Sequence, residues 1–126
     1  MCSSDLAAYC WGVNAYGQIG DGTSGNGYWN SPNNRATPVA VTGGLAFTSL
    51  VAGIYHTCGL ATTGAAYCWG GNSFGQVGDD TTTNRLVPAP TSGGLKFTSL
   101  SAGGAHTCGV TTSGFAYCWG GNWRAV

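Results

Sequence analysis

The chain has 126 residues, enough for one ordinary domain, with four basic and four acidic side chains and a formal net charge of zero. Nucleic-acid binding draws on clustered cations that neutralise phosphate. Arg35, Arg85, Lys96 and Arg124 are too few and too scattered for that, so no nucleic-acid partner is expected. No run of about 18 apolar residues is available to span a membrane, and no apolar signal-like run precedes Cys2. With 23 Gly, five Trp, 43% hydrophobic residues and little Lys, Glu or Gln, the composition opposes both a helical bundle and a disordered chain. It predicts an all-β protein with many tight turns.

In chain order, "MCSSDLAAYCWG" (1–12) reads as a hairpin that brings Cys2 opposite Cys10. A Gly-rich link, "GVNAYGQIGD" (12–21), leads into "TSGNGYWNSPNN" (23–34). Four short segments rich in β-branched and aromatic residues follow at 37–41, 47–52, 55–61 and 65–70, separated by Gly-Gly, Ala-Gly and Thr-Gly turns. The link "GNSFGQVGDDTTTNR" (71–85) then precedes the same four segments at 86–91, 97–102, 105–111 and 115–120.

The chain repeats itself. His56, Cys58, Cys68, Trp69 and Gly70 return fifty positions later as His106, Cys108, Cys118, Trp119 and Gly120. The first link matches the second at an offset of fifty-eight, and the difference of eight is the 23–34 insertion. A period of about 50 belongs to stacked arrays or propellers, whose units cannot bury their faces alone. Four short antiparallel strands per unit make a propeller blade. The expected organisation is a partial β-propeller of about two four-stranded blades plus a terminal hairpin. Residues 1–12 form the hairpin of an incomplete blade, and 13–70 a link with insertion plus a full blade. Residues 71–120 form a link plus a second blade, and 121–126 the start of a further link.

The motifs Ala-Gly-x-x-His-Thr, Trp-Gly-x-Asn and Gly-Gln-x-Gly, as in "HTCGLATTGAAYCWGGNSFGQVGD" (56–79), resemble the repeat of the regulator of chromosome condensation family. The resemblance covers the chain outside 23–34 and the last few residues. It implies a seven-bladed propeller, of which this chain would supply about a third. A propeller hosts many unrelated activities, so the fold leaves function open. The nuclear member of the family is a guanine-nucleotide exchange factor that docks on chromatin. A nearly uncharged, cysteine-rich repeat looks more like the secreted or surface-attached bacterial versions.

Opposed residues in a hairpin share a constant sum of residue numbers. Pairing Cys58 with Cys68 sets Leu60 opposite Ala66 and leaves Thr62, Thr63 and Gly64 as the turn. Opposed Cα atoms lie close enough for a disulfide. Cys108 and Cys118 repeat the arrangement, and Cys2 and Cys10 do so in a hairpin two residues shorter. The competing roles fit less well. Zinc and redox sites use closely spaced pairs such as Cys-x-x-Cys, and helical Cys-x9-Cys hairpins would be broken by Gly59 and Gly64. Three intrahairpin disulfides are expected, each contributing about 2.5–3 kcal/mol in the chain-entropy model. They imply an oxidising, extracytoplasmic compartment.

Other candidates are weighed against structural roles. His56 and His106 are repeat equivalents, expected to hydrogen-bond within their own blades. Trp11, Trp69 and Trp119, with Tyr9, Tyr67 and Tyr117, fall on the strand face opposite the cysteines and are expected to pack between blades. Asp21, Asp79 and Asp80 offer too few oxygens for calcium and suit turns. No catalytic constellation, metal set, cofactor motif or Asn-x-Ser/Thr sequon is present. Tyr28 and Trp29, in the insertion, are either a contact surface or a decoration that covers a neighbouring blade. These observations predict a non-catalytic scaffold or protein-binding segment of an extracytoplasmic propeller. Its partners would be another protein and the remaining blades of the same propeller, or further copies of the chain. The rivals are a fragment of a nucleotide-exchange propeller and a carbohydrate-binding propeller using Tyr28 and Trp29.

Overall fold

Cys58 and Cys68 stand directly opposite each other on two neighbouring antiparallel strands, β4 (His56–Ala61) and β5 (Ala66–Gly70), with Leu60 opposite Ala66. Gly64 closes the turn at φ +88° and donates its N–H to Ala61 O at 2.9 Å. Strands β8 (His106–Thr111) and β9 (Ala116–Gly120) repeat the register, with Cys108 opposite Cys118. The first strand, β1 (Cys2–Gly12), folds back on itself around Leu6 at φ +73°. Met1 and Trp11 exchange backbone hydrogen bonds of 2.7 and 2.8 Å across this fold. All three cysteine pairs are disulfide-bonded, with Cα–Cα separations of 4.0, 4.1 and 4.1 Å. These distances come from a computed structural model, which describes residues 1–122 apart from the side chain of Asp5. Among these residues there are nine strands and no helix. The expected further link at 121–126 lies, from residue 123 on, outside the described residues.

The remaining strands are β2 (Arg35–Ala40), β3 (Ala46–Ala52), β6 (Arg85–Pro90) and β7 (Phe97–Ala102). They correct the expected grouping of strands into blades. The segments at 37–41 and 86–91 do not open the units that follow them. β2 pairs with the returning half of β1, Tyr9 opposite Ala40 and Cys10 opposite Val39. β6 pairs in the same way with β5, Tyr67 opposite Pro90 and Cys68 opposite Ala89. Each is therefore the last strand of the preceding blade, and the order within the complete blade is β3-β4-β5-β6. The Gly-Gly turns at 43–44 and 93–94 look like hairpin turns in sequence, but here they carry the chain from one blade to the next. At each crossing the new strand touches the previous hairpin's turn. Leu6 and Ala7 pair with Phe47 and Ala46, and Ala65 pairs with Lys96.

Period-two alternation gives each blade two unlike faces. One carries the disulfide and looks toward the following blade. The other carries Thr57, Trp69 and Phe47 and looks back. The first crevice is filled by Cys10 and Ala8 against Ile19, Phe47 and Trp69. In the second, the Cys58–Cys68 bridge meets Val77, and Leu60 and Ala66 meet Phe97. Burying a side chain such as Phe47, 1% exposed, contributes about 1.5–3 kcal/mol. On the third blade the corresponding disulfide face is open, with His106, Ala116 and Cys118 exposed. The bridge thus both closes a hairpin and forms part of the wall between blades. Replacing Cys58 and Cys68 together by Ser should lower stability in urea unfolding by about 2–4 kcal/mol. A change below about 0.5 kcal/mol would show that the bond contributes nothing in solution.

Candidate functional site

Polar groups between blades converge on one backbone carbonyl per link. Gln18 O accepts the Thr57 hydroxyl at 2.8 Å and the Trp69 indole N–H at 3.0 Å. Gln76 O accepts Thr107 at 2.7 Å and Trp119 at 3.0 Å. The indole approaches so closely because the residue two places on is glycine. A Cβ on Gly20 or Gly78 would lie 2.7 or 2.5 Å from the indole nitrogen, at φ values of +80° and +78° that disfavour other residues. Gly78→Ala should therefore cost about 1–3 kcal/mol in chemical denaturation.

His56, fully buried, completes the second crevice. Its Nε2 lies 2.8 Å from Thr107 Oγ1. Since Thr107 gives its hydroxyl hydrogen to Gln76 O, it must accept from His56, which fixes the Nε2–H tautomer. His56 Nδ1 is buried with no hydrogen-bond partner. This bond runs from one blade to the next, which corrects the expectation of hydrogen bonding within a blade. The partner, Thr107, precedes the cysteine of the next hairpin and faces back across the crevice. Burial, helped by the nearby His106, lowers the His56 pKa from 6.5 to about 4.

The links are held by their own polar side chains. Asn72 Nδ2 donates to Thr81 O at 3.0 Å and Thr83 O at 2.9 Å, while its Oδ1 accepts Val77 N–H at 2.9 Å. Asn14 does the same work in the first link, donating to Thr23 O and accepting from Ile19 N–H. Asp21 pairs with Arg35 at 2.8 Å, and Asp79 pairs with Arg85. Burial acts to raise the two carboxyls, but hydrogen bonds from Thr23 and Arg35, and from Thr81 and Arg85, outweigh it and hold both below the usual range. Among the described residues, no group of three or more His, Cys, Asp or Glu side chains is placed to hold a metal ion.

The insertion lies over the first link. Gly25 N–H donates to Asn14 O at 2.8 Å, and Tyr16 OH donates to Gly27 O at 3.1 Å. Buried Ser31 closes its middle by contacts to Asn26 and to Tyr28 O, and Asn33 Nδ2 donates to Ser24 O at 2.7 Å near its ends. Tyr28 and Trp29 remain 67% and 61% exposed. Trp29 nevertheless reaches the second blade, where its ring centroid lies 6.5 Å from that of Tyr55. Tyr55 also meets Tyr16 edge-on at 5.5 Å. Beside these rings, a cavity of about 230 Å³ is lined by Tyr16, Tyr55, Ser73, Phe74 and Gln76. Sequence reasoning finds Tyr28 and Trp29 but misses Tyr16, Tyr55 and Phe74. The available signal is Tyr55, which stands where the next repeat has Ala105.

With this geometry in place, comparison with known proteins is decisive for the family. Two models described as the Regulator of chromosome condensation (RCC1) repeat match, one over residues 47–76 and the other over 7–60 and 63–110. The chain belongs to the RCC1 repeat family. Human probable E3 ubiquitin-protein ligase HERC4 is 36% identical over 72 residues, covering 56% of this chain and 6% of HERC4. The structure of Prp20p from Saccharomyces cerevisiae, described with its binding to Gsp1p and histones, superposes with a TM-score of 0.74 at 25% identity. That match covers 90% of this chain and 29% of Prp20p. The entire ectodomain of the Physcomitrella patens receptor kinase CR4 gives a TM-score of 0.57 at 27% identity, covering 95% of this chain and 25% of CR4. This RCC1-repeat chain thus spans less than a third of each of these relatives.

The buried histidine makes the fold acid-sensitive. His56 has a pKa of about 4 when folded and an ordinary value near 6.5 when unfolded, so the unfolded chain takes up the proton first as pH falls. Stability is full above about pH 6.5 and declines toward pH 4, by on the order of 3 kcal/mol. Asp21 and Asp79, with lowered pKa values, add a further loss at still lower pH. Urea midpoints across pH 4–7 should show this slope, and His56→Gln should flatten it. A wild-type midpoint constant from pH 7 to 4.5 would contradict the assignment.

Proposed function

We propose that this RCC1-repeat chain is a non-catalytic segment of an extracytoplasmic propeller that serves as a scaffold or protein-binding surface. The observation that carries this reading is the set of three disulfides, one across each repeated cysteine-bearing hairpin, of which Cys58–Cys68 is fully buried between blades where a reduced pair would leave two thiols in the wall. Bonds of this kind persist in oxidising compartments. The CR4 match supports the location, because that relative is an ectodomain. Protein binding draws support from relatives such as Prp20p, described with Gsp1p and histones. The polar side chains inside the fold support a non-catalytic role, since Asn14, Asn72, Asp21, Asp79, Thr57 and Thr107 are engaged in holding links and blades together.

Two experiments test the reading. Mass spectrometry of protein made in an oxidising compartment should find no free thiol before reduction and six after it. Six free thiols at the start would remove both the disulfides and the compartment. In a fluorescent-GDP release assay on a small GTPase the chain should leave the rate unchanged, and acceleration would favour the exchange-factor rival. The open disulfide face of the third blade also leads us to expect self-association. Sedimentation should show average mass rising with concentration, and a monomer at every concentration tested would argue against that part of the proposal.

The insertion supports a second reading. Tyr28 and Trp29 are exposed aromatic rings on a polar loop, a surface on which a sugar ring can stack. Glycan-array binding lost on Trp29→Ala would favour it.

A further inference from the structure

Two sheets in this chain show what covers an outer edge. β6 lies along β5 with Cys68 opposite Ala89 and Gly70 opposite Arg85, and β2 lies along β1 with Cys10 opposite Val39 and Gly12 opposite Arg35. The covering segments, "NRATPVA" (34–40) and "NRLVPAP" (84–90), share the pattern Asn-Arg-x-x-Pro. That proline falls in the irregular step of each pairing, where a missing N–H does no harm. The fifth residue after Asn is small and apolar, and Ala89 packs against the Cys58–Cys68 bridge. β9 has the same sequence as β5, Ala-Tyr-Cys-Trp-Gly, but among the described residues its sheet ends with it.

The edge of β9 is chemically defined. Cys108 and Cys118 are 4.1 Å apart at Cα, the closely spaced kind of pair that exchanges no ladder bonds. Both backbone groups of Cys118 therefore point away from β8, toward the open edge. Ala116 has the same parity, and its counterpart Ala66 accepts Thr91 N–H at 3.0 Å. Beside this edge lies a cavity of about 320 Å³, lined in part by Gly75, Gly78, Asp80, Tyr117 and Trp119. Leu86 of β6 occupies the equivalent place in the first crevice. A Cβ on Gly17 would lie 2.6 Å from Leu86 Cδ2, whereas one on Gly75 would meet no described atom within 4 Å. Leu86 O also accepts Gly22 N–H at 2.9 Å. Asp80 stands where Gly22 does and keeps the same left-handed backbone, at φ +67° against +87°, so the second link offers the same N–H.

We infer that the β9 edge, with the groove beside Gly75 and Asp80, is a docking site for an extended strand donated by a separate polypeptide, with the Arg-Leu-x-Pro-Ala chemistry of β6. Its leucine fills the groove, its proline lies beside Trp119, and its alanine exchanges backbone hydrogen bonds with Cys118. In such strand addition the main chain supplies affinity, and pockets for alternate side chains supply specificity. A second copy is not the donor, because its β2 and β6 are already paired within their own sheets. This inference rests on the protein-binding reading and names the kind of partner segment.

The probe is a synthetic peptide with the sequence of residues 79–92, DDTTTNRLVPAPTS, which carries its own Asp79 partner for Arg85. Titrated into the 126-residue chain, it should bind saturably by calorimetry. NMR-detected hydrogen exchange should slow at the Cys118 amide and stay unchanged at Tyr117 and Trp119, whose parity turns them toward β8. Leu86→Asp in the peptide, or N-methylation of its Ala89, should each weaken binding by roughly tenfold or more. Both changes leave the folded chain untouched. Three results would overturn the inference. They are no binding at roughly millimolar peptide, undiminished binding of both altered peptides, or a Cys118 amide already protected without peptide as sedimenting mass rises, which would give the edge to a second copy. The scaffold reading fails separately. Accelerated GDP release with intact peptide binding would remove the scaffold and leave this groove, whereas lost peptide binding without acceleration would remove the groove alone.

Discussion

One carbonyl oxygen in each link sets the distance between blades. Gln76 O faces a hydroxyl and an indole N–H from the next blade, and both are buried enough to need a partner. The angle at which the next sheet stands is therefore dictated by where that oxygen points. The oxygen is aimed by the link, and the link is held by Asn72 and Asp79. An unpaired buried donor costs about 1–3 kcal/mol, so a blade that rotated away would lose two such pairings together. The apolar side chains in the crevice give most of the energy, but they would tolerate many angles. The carbonyl selects one.

The disulfides gain a second meaning in this frame. A cystine sulfur pair is apolar and compact, and it sits on the face that meets Val77 and Leu100. Reduction would lengthen the hairpin's reach in the unfolded chain and also place thiols next to Thr107, whose hydroxyl lies 3.8 Å from Cys58 Sγ. Closing the hairpin and docking the next blade are thus coupled through the same two residues. His56 belongs to this wall as well. Its neutral form fits the crevice, and its Nδ1 has no partner there.

Much of the fold was legible in the sequence because it is local. The Cys58–Cys68 register, the Leu60–Ala66 pair and the Thr-Thr-Gly turn follow from alternation and from a sum of residue numbers. The partner of β6 was not legible, because a link of that length and a Gly-Gly turn are each compatible with either neighbour. His56 was placed in the right role but given the wrong blade, since sequence shows which residues are equivalent and not which equivalents touch. Tyr28 and Trp29 stood out by composition. Their meeting with Tyr55 and Tyr16 depends on how far a loop of twelve residues folds back over the next sheet, which no periodicity encodes.

The pairing of β5 with β6 puts the repeated segment and the folded sheet out of phase. Each stretch of sequence that duplicates as a unit lends its first strand to the sheet before it. A peptide-bond break in the exposed end of the link, residues 82–84, would leave the two pieces still clasped, because β6 after the break is hydrogen-bonded to β5 before it. Covalent continuity through that exposed end is therefore dispensable once folding is complete. A chain built this way can carry long, variable or protease-sensitive loops at its rim without coming apart, which leaves those loops open to change.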